Sequence, residues 1–357
     1  MFSEIERRVV NGERINKKEA IFLFNSDYLH AIGELAEEVS RKINQNRVYF
    51  IVNRHINPTN ICVNRCRFCA FFRSPGDPDA YAMSIDEIIK NIRETEQCLG
   101  YLSEVHIVSG LHPEWKFDYY LEIIREIKRE FPNIGIKAFT AVEIDHFSRI
   151  SGLSIEKTLE KLKDAGVDIM PGGGAEIFNP QIRNIICPEK ISAERWLEIV
   201  KIAHKLDIKT NATMLYGHIE SYADRVDHLF TLRQLQDETG GFLAFIPLSY
   251  QPKNNKIKAT HPSGIEDLKT IAISRLVLDN IPHIKAYWVM LGEKLAQVAL
   301  LFGADCFEGT VIEERIAHSA GASSKNGLSV EEIVYLIKES GKIPAQRDSF
   351  YNIIKLW

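Results

Sequence analysis

The sequence has no apolar run long enough to cross a bilayer, which excludes a helical membrane protein. Its opening residues, M-F-S-E-I-E-R-R, place charges where a secretory leader needs an apolar stretch, so no leader is expected. Basic residues are not in excess. The 44 Lys and Arg face 48 Asp and Glu, for a net charge of -4, and this leaves no electrostatic footprint for nucleic acid. No low-complexity tract or Pro/Gly/Ser-rich linker divides the chain. No nucleotide-type glycine fingerprint follows the first strand-like run, which disfavours an open doubly wound sheet. What remains is ordinary globular composition, 45% hydrophobic and 26% charged over 357 residues, enough for one large α/β barrel or two smaller domains.

Cysteine is also scarce, with six residues, and three of them fall in one short loop. Cys62, Cys66 and Cys69 lie in N-I-C-V-N-R-C-R-F-C-A-F-F-R, spaced C-x-x-x-C-x-x-C. A structural zinc site wants a fourth Cys or His at ligand spacing, and none follows nearby. His55, upstream, reads as a polar lining residue. Three cysteines this close cannot all pair as disulfides. Three thiolates do hold three irons of a 4Fe-4S cubane and leave the fourth iron open to a small molecule. Such a cluster fits a reducing, cytoplasmic location. Cys98 falls on a helical apolar pattern and reads as a small core residue, Cys187 precedes a proline and reads as structural, and Cys306 is isolated.

Apolar, β-branched runs recur at 48–52, 104–109, 136–142, 167–170, 208–216, 242–248, 284–290 and 305–310. Helical patterns separate them, near 84–99, 118–130, 154–164, 192–206, 221–238, 265–280 and 292–302, and another begins at Ser329. Ser84 with Glu87, and Ser329 with Glu332, have capping-box spacing. Eight strand–helix units predict a parallel, closed (β/α)8 barrel over residues 46–357, with C-terminal helices and a helical N-terminal extension over 1–45.

In such a barrel the chemistry sits at the C-terminal strand ends. Those ends carry the cysteine loop, then Ser109-Gly110 with His112, then Glu143, then P-G-G-G-A-E-I-F from Pro171 to Phe178. They continue with Y-G-H-I-E containing His218, with Tyr250 and Gln251, with Tyr287 and Trp288, and with Glu308-Gly309-Thr310. Gly172, Gly173 and Gly174, followed by Glu176, read as a loop that lets backbone approach a ligand. Glu143 appears within an apolar strand and needs a partner, either an ion pair inside the barrel or a ligand. Arg183 pairs either with a ligand carboxylate or with a local one. His112, His218, Tyr250 and Tyr287 are polar rim candidates for substrate contact.

C-x-x-x-C-x-F-C after a strand resembles the radical S-adenosylmethionine (SAM) superfamily. The resemblance implies that the open iron chelates SAM, whose reductive cleavage gives a 5′-deoxyadenosyl radical. It places Phe68 near the adenine and Ser109-Gly110 near the methionine amino group. It also gives Glu143 a hydrogen bond to the SAM ribose or amino group. Longer segments, E-V-H-I-V-S-G-L-H-P, M-P-G-G-G-A-E-I-F, T-N-A-T-M-L-Y-G-H-I-E and H-I-K-A-Y-W-V-M-L-G, resemble the aminofutalosine synthase (MqnE) family from about residue 45 to 350. Ser109 departs from the family's glycine.

That resemblance implies addition of the radical to 3-[(1-carboxyvinyl)oxy]benzoate, with rearrangement and decarboxylation to 6-amino-6-deoxyfutalosine, a step toward menaquinone. It implies an electron donor such as flavodoxin or ferredoxin, and roles for His218, Tyr250 and Arg183 at the substrate. Cyclic dehypoxanthine futalosine synthase and deazaflavin-chromophore enzymes share the cysteine loop and a related glycine loop and are the alternatives. A non-enzymatic iron-sulfur carrier needs neither an open iron nor a barrel.

Overall fold

A computed structural model describes all residues, 1–357. Its strands are β1 (Arg47–Ile51), β2 (Asn53–Ile56), β3 (Glu104–Ile107), β4 (Gly135–Ala138), β5 (Ile169–Met170), β6 (Lys209–Tyr216), β7 (Phe242–Ser249), β8 (His283–Ile284), β9 (Cys306–Gly309), β10 (Ile343–Arg347) and β11 (Ile353–Leu356). Strands β2 to β8 form one sheet in sequence order, all parallel. The ring then closes. A bridge between Lys285 and Cys306 joins β8 to β9, and β9 pairs with β1 at Tyr49–Cys306 and Ile51–Gly309. Strands β1 and β2 are two halves of one run, interrupted only at Val52.

That interruption changes the neighbours. The upper half, β2, pairs with β3, whereas the lower half, β1, pairs with β10, which hairpins back through β11. The C-terminal hairpin therefore fills the lower seam of the barrel. At β11 no strand pattern is legible, because the strand is exposed along its whole length and burial imposes no apolar alternation. Strand β10, I-P-A-Q-R, is buried beyond Ile343 but half polar, so it shows no apolar run.

The helices follow local rules. Ser84 caps Ile85–Leu99, its side chain accepting from the N–H of Glu87 while the Glu87 carboxylate accepts from the N–H of Ser84. Ile88, Ile89 and Ile92 then face the core, each adding about 1.5–3 kcal/mol of burial. Ser329 and Glu332 form the second expected box. Cys98 sits on the solvent side of Ile85–Leu99 and is exposed, a correction to its expected place in the core. Its neighbours one turn back, Glu94 and Thr95, are polar, and it lies off the stripe of Ile88, Ile89 and Ile92.

Three helices, Phe2–Val10, Lys17–Asn25 and Leu29–Asn44, precede the first strand. The third packs on the outer-ring helix Gly264–Val277. Lys269 ties that helix to the carbonyls of Phe24 and Ser26, at 3.1 and 2.7 Å. No helix is long and apolar enough to cross a membrane.

Several expected strands are shorter than their apolar runs, two of them because the chain turns into a helix. The run at 136–142 ends at Ala138, because Phe139 adopts a left-handed φ of 65° and Thr140 then caps a helix, Ala141–Ser151. Glu143 is thus the third residue of a helix, where its carboxylate closes a capping box, and is not a strand residue. The run at 284–290 keeps only His283–Ile284 as strand, with Tyr287 as N-cap and Trp288 as first residue of the short helix Trp288–Leu291.

Candidate active site

The cysteine loop leaves β2 and is fixed by backbone bonds to three neighbours. Cys62 N–H donates to Arg73 O at 3.1 Å, Val63 N–H to Leu111 O at 3.0 Å, and Arg67 N–H to Ile186 O at 2.7 Å. Asn57, at the end of β2, donates to Val108 O at 2.8 Å. The loop is therefore rigidly placed over the mouth of the barrel with three free thiols, Cys66 buried and Cys62 and Cys69 partly so. All three line a cavity of about 300 Å³ at the C-terminal strand ends, where barrels of this type place their chemistry.

Burial pushes the thiols of Cys62 and Cys66 up, with the Lys190 ammonium drawing both back. Lys190 is held at 2.5 Å from Glu176 and lies 5.0 Å from the centre of the Phe68 ring. No three Cys, His, Asp or Glu side chains converge as a single metal ion requires. Three separate thiols on one wall of a roomy cavity fit instead a cubane, in which each thiolate binds its own iron. Cys187 is buried but does not line the cavity.

The rim gathers most of the residues singled out from the sequence. Phe68, Ser109, Gly110, Glu143, Gly172, Gly173, Gly174, Glu176, Tyr250 and Tyr287 all line the same cavity. Glu143 ties two strand ends together, accepting from Ser109 N–H at 2.9 Å, Thr140 N–H at 2.7 Å and Thr140 Oγ1 at 2.8 Å. Gly172 packs onto β6, where an added Cβ would stand 2.7 Å from Asn211 O. The loop's carbonyls are occupied too: Gly172 O accepts from Thr213 Oγ1 at 2.7 Å and Gly173 O from Trp196 Nε1 at 3.2 Å. The Tyr250 hydroxyl donates to Asn255 Oδ1 at 2.7 Å and points out of the cavity, leaving its ring as the lining surface.

Arg183, His218 and His112 do not line the cavity. The Arg183 guanidinium donates to the carbonyls of Ala175 at 2.5 Å, Ile177 at 3.2 Å, Gly174 at 3.3 Å and Ile191 at 2.6 Å. It is a buried clamp on the glycine loop, with both terminal nitrogens taken up by backbone carbonyls. His218 is enclosed, with Nε2 3.1 Å from Leu215 O and Nδ1 accepting from Ile219 N–H at 2.7 Å. His112 stacks on Trp115 at 4.7 Å, and Trp288 donates to Gly309 O at 2.9 Å.

Residues deeper in the barrel were not singled out: His106, Lys137, Asn211, Thr213 and Lys285 line the cavity together with His55. The signal was present. The tripeptide I-K-A occurs at 257–259 in a polar stretch, and at 136–138 and 284–286, where it opens an apolar strand run with a lysine inside it. A lysine there is costly unless paired, so it marks a polar interior.

Glu143 gives a pH prediction. Burial pushes its carboxyl up to about 7, against the Thr140 and Ser109 groups that pull it down. The folded protein then keeps a proton that the unfolded chain, titrating near 4.5, has lost. Stability carried by this group is complete below about pH 4.5 and is lost as pH rises through about 7, an effect of about 3 kcal/mol. Denaturant titrations at about pH 5 and about pH 8 read it. The Glu143→Gln protein, which has no such proton, should lack this part of the decline; an identical pH profile in both would refute it.

Residues 56–232 match the family model of the radical SAM superfamily, and residues 239–356 match the CofH/MqnC C-terminal region. The chain is 44% identical to the aminodeoxyfutalosine synthase of Thermus thermophilus, over 99% of this chain and 96% of that one. It is also 44% identical to the 5-amino-6-(D-ribitylamino)uracil–L-tyrosine 4-hydroxyphenyl transferase of Methanopyrus kandleri, over 92% of this chain and 90% of that one. Among solved structures, methylornithine synthase superposes with a TM-score of 0.77 over 96% of this chain and 97% of that one, at 16% identity, a likeness of fold. The chain belongs to the radical SAM superfamily, in the group that holds the aminodeoxyfutalosine synthases and their CofH/MqnC-type relatives.

Proposed function

We propose that the protein makes 6-amino-6-deoxyfutalosine, adding the 5′-deoxyadenosyl group of SAM to 3-[(1-carboxyvinyl)oxy]benzoate with loss of the enol carboxylate. The reading is carried by the 44% identity to the Thermus protein along 99% of the chain. The site supports it. Cys62, Cys66 and Cys69 would hold a 4Fe-4S cluster, which when bound supplies the electron that cleaves SAM. A reduced flavodoxin or ferredoxin of the cytoplasm is the matching donor.

The chain's own residues do the rest. Gly172, Gly173 and Gly174 present backbone to SAM, and Ser109, Gly110 and Glu143 form the neighbouring rim, with Phe68 at the adenine. The barrel wall on the far side is apolar, from Leu215, Ile246 and Leu248. It keeps water and hydrogen donors away from a primary radical and gives the aromatic ring of the substrate a surface.

The second reading is the tyrosine-dependent transferase chemistry named for the Methanopyrus relative, favoured by equal identity over a shorter share of the chain. Offering reduced, SAM-supplied enzyme both substrate sets at once separates the two. Consumption of the enolpyruvyl benzoate with tyrosine untouched is the expected outcome. Consumption of tyrosine together with 5-amino-6-(D-ribitylamino)uracil would replace the proposal.

A further inference from the structure

Below the SAM-binding rim the cavity ends on a floor of charged and imidazole groups. Strand register sets three of them in one row: His55 on β2 aligns with His106 on β3, and His106 with Lys137 on β4. Lys137 Nζ lies 2.5 Å from Glu104 Oε1, and Lys285 Nζ lies 2.5 Å from Glu308 Oε2, all four groups almost fully buried. His55 Nε2 and His106 Nδ1 are 3.3 Å apart and share one proton, since burial lowers both imidazoles below their ordinary value and keeps them neutral. The other ring nitrogen, His106 Nε2, has no partner in the protein. A buried nitrogen left so is costly, and a ligand atom would recover that cost.

The charges around the floor do not balance. Arg347, on β10, lies beneath it, stacked 3.9 Å from the centre of the Tyr351 ring and donating from Nη1 to Asp348 O at 2.8 Å. Its Nε and Nη2 have no partner, and it forms no ion pair. Burial pushes Glu308 up, but Lys285, Lys137 and Arg347 together outweigh this and hold it at about 2, so one carboxylate serves several cations.

Further down, Asp305 accepts from Ile284 N–H at 2.7 Å and from His283, near Arg275, whose guanidinium bonds only backbone carbonyls. Lys137, Lys285, Arg347 and Arg275 thus face Glu104, Glu308 and Asp305, one positive charge in surplus. The pairs at the mouth cancel: Glu176 with Lys190, and Glu314 with His318, which the Glu314 carboxylate holds up at about 9 and therefore protonated. A buried surplus charge is costly until a counter-ion meets it.

We infer that this floor is an anion site that takes a carboxylate of the small aromatic acid substrate, with His106 Nε2–H as the direct donor and Arg347 as a positioning residue that supplies the surplus charge from below. In this arrangement His55 Nε2–H donates to His106 Nδ1. The carboxylate lies on the polar floor while the ring rests on Leu215, Ile246 and Leu248. The identity of the acid rests on the proposed function; the site itself rests on the geometry.

The test uses cluster-reconstituted, SAM-loaded protein and two probes of matching size, the anion 3-hydroxybenzoate and the neutral 3-hydroxybenzamide, with binding measured by calorimetry. The wild type should prefer the acid by about tenfold to hundredfold, the size of one charge-assisted hydrogen bond. His106→Phe and Arg347→Met should each remove most of that preference while the amide binds as before, which also reports intact folding. Arg347→Lys, which keeps the charge, should retain it.

Equal binding of acid and amide by the wild type would overturn the inference, as would variants that keep the preference. A parallel fall in SAM affinity would also overturn it, by showing that the anion at the floor is the methionine carboxylate. Turnover of the enolpyruvyl benzoate is scored separately. Acid preference without turnover sinks the proposed reaction and leaves the site, whereas turnover without preference sinks the site and leaves the reaction.

Discussion

Cys66→Ala is expected to reduce iron loading and SAM cleavage to background while leaving the helical content of the protein unchanged. Cys66 is the middle cysteine of the loop and the most buried of the three, 4% exposed. The loop is held by backbone bonds from Cys62, Val63, Arg67 and Cys69, and none of them involves a thiol. Truncating one sulfur therefore removes a ligand without removing what shapes the loop. A cubane left with two thiolates has two open irons and is labile. Iron content per chain, visible absorbance and 5′-deoxyadenosine release measure the loss, and circular dichroism measures the fold. A Cys66→Ala protein that loads iron and cleaves SAM at the wild-type rate would remove the cysteine loop from the account.

Gly110→Ala is the second substitution expected to have a large effect, and it acts from outside the loop. A Cβ on Gly110 would stand 2.3 Å from Ile61 O and 2.9 Å from Ile61 C. Both are backbone atoms, so no side chain can swing away. The strain falls on the residue just before Cys62, and on the bond by which Gly110 N–H reaches Thr59 O at 2.9 Å. Overpacking of this kind costs about 1–3 kcal/mol, and here relief is available only by moving the cysteine loop. Lower iron occupancy with a lowered denaturation midpoint is the expected result. Gly264→Ala is the control, since its Cβ would meet only Leu295 Cδ1 at 3.4 Å, an ordinary contact. Normal iron loading in Gly110→Ala would show that the rim and the cysteine loop are not rigidly coupled.

The parts of this molecule that were legible in the sequence are those set by short-range rules. The barrel followed from apolar runs alternating with helical patterns, and the helix starts at Ser84 and Ser329 from the capping box. The three cysteines that line one cavity were marked by their spacing alone. What failed depended on contacts distant in sequence or on single dihedral angles. The T-A-V-E spacing of Thr140 and Glu143 is that of a capping box, but the apolar run across it and the unannounced positive φ of Phe139 made Glu143 read as a strand residue. Arg183 looked like a free cation because the carbonyls it clamps belong to a loop whose path the sequence does not give. His218 sits at a strand end, yet its ring turns back onto Leu215 O. Lys137 and Lys285 were hidden by their apolar neighbours, and only the barrel shows that both point inward and meet Glu104 and Glu308.

The central claim is that the 5′-deoxyadenosyl group ends up bonded to substrate carbon and is not merely a hydrogen abstractor. The direct measurement follows an adenine label from SAM through a reaction of reduced enzyme with 3-[(1-carboxyvinyl)oxy]benzoate, read by mass spectrometry. The account predicts that the label appears in 6-amino-6-deoxyfutalosine, with one SAM consumed and one carboxyl carbon released per product. Recovery of the label only as free 5′-deoxyadenosine, with the benzoate intact, would contradict it.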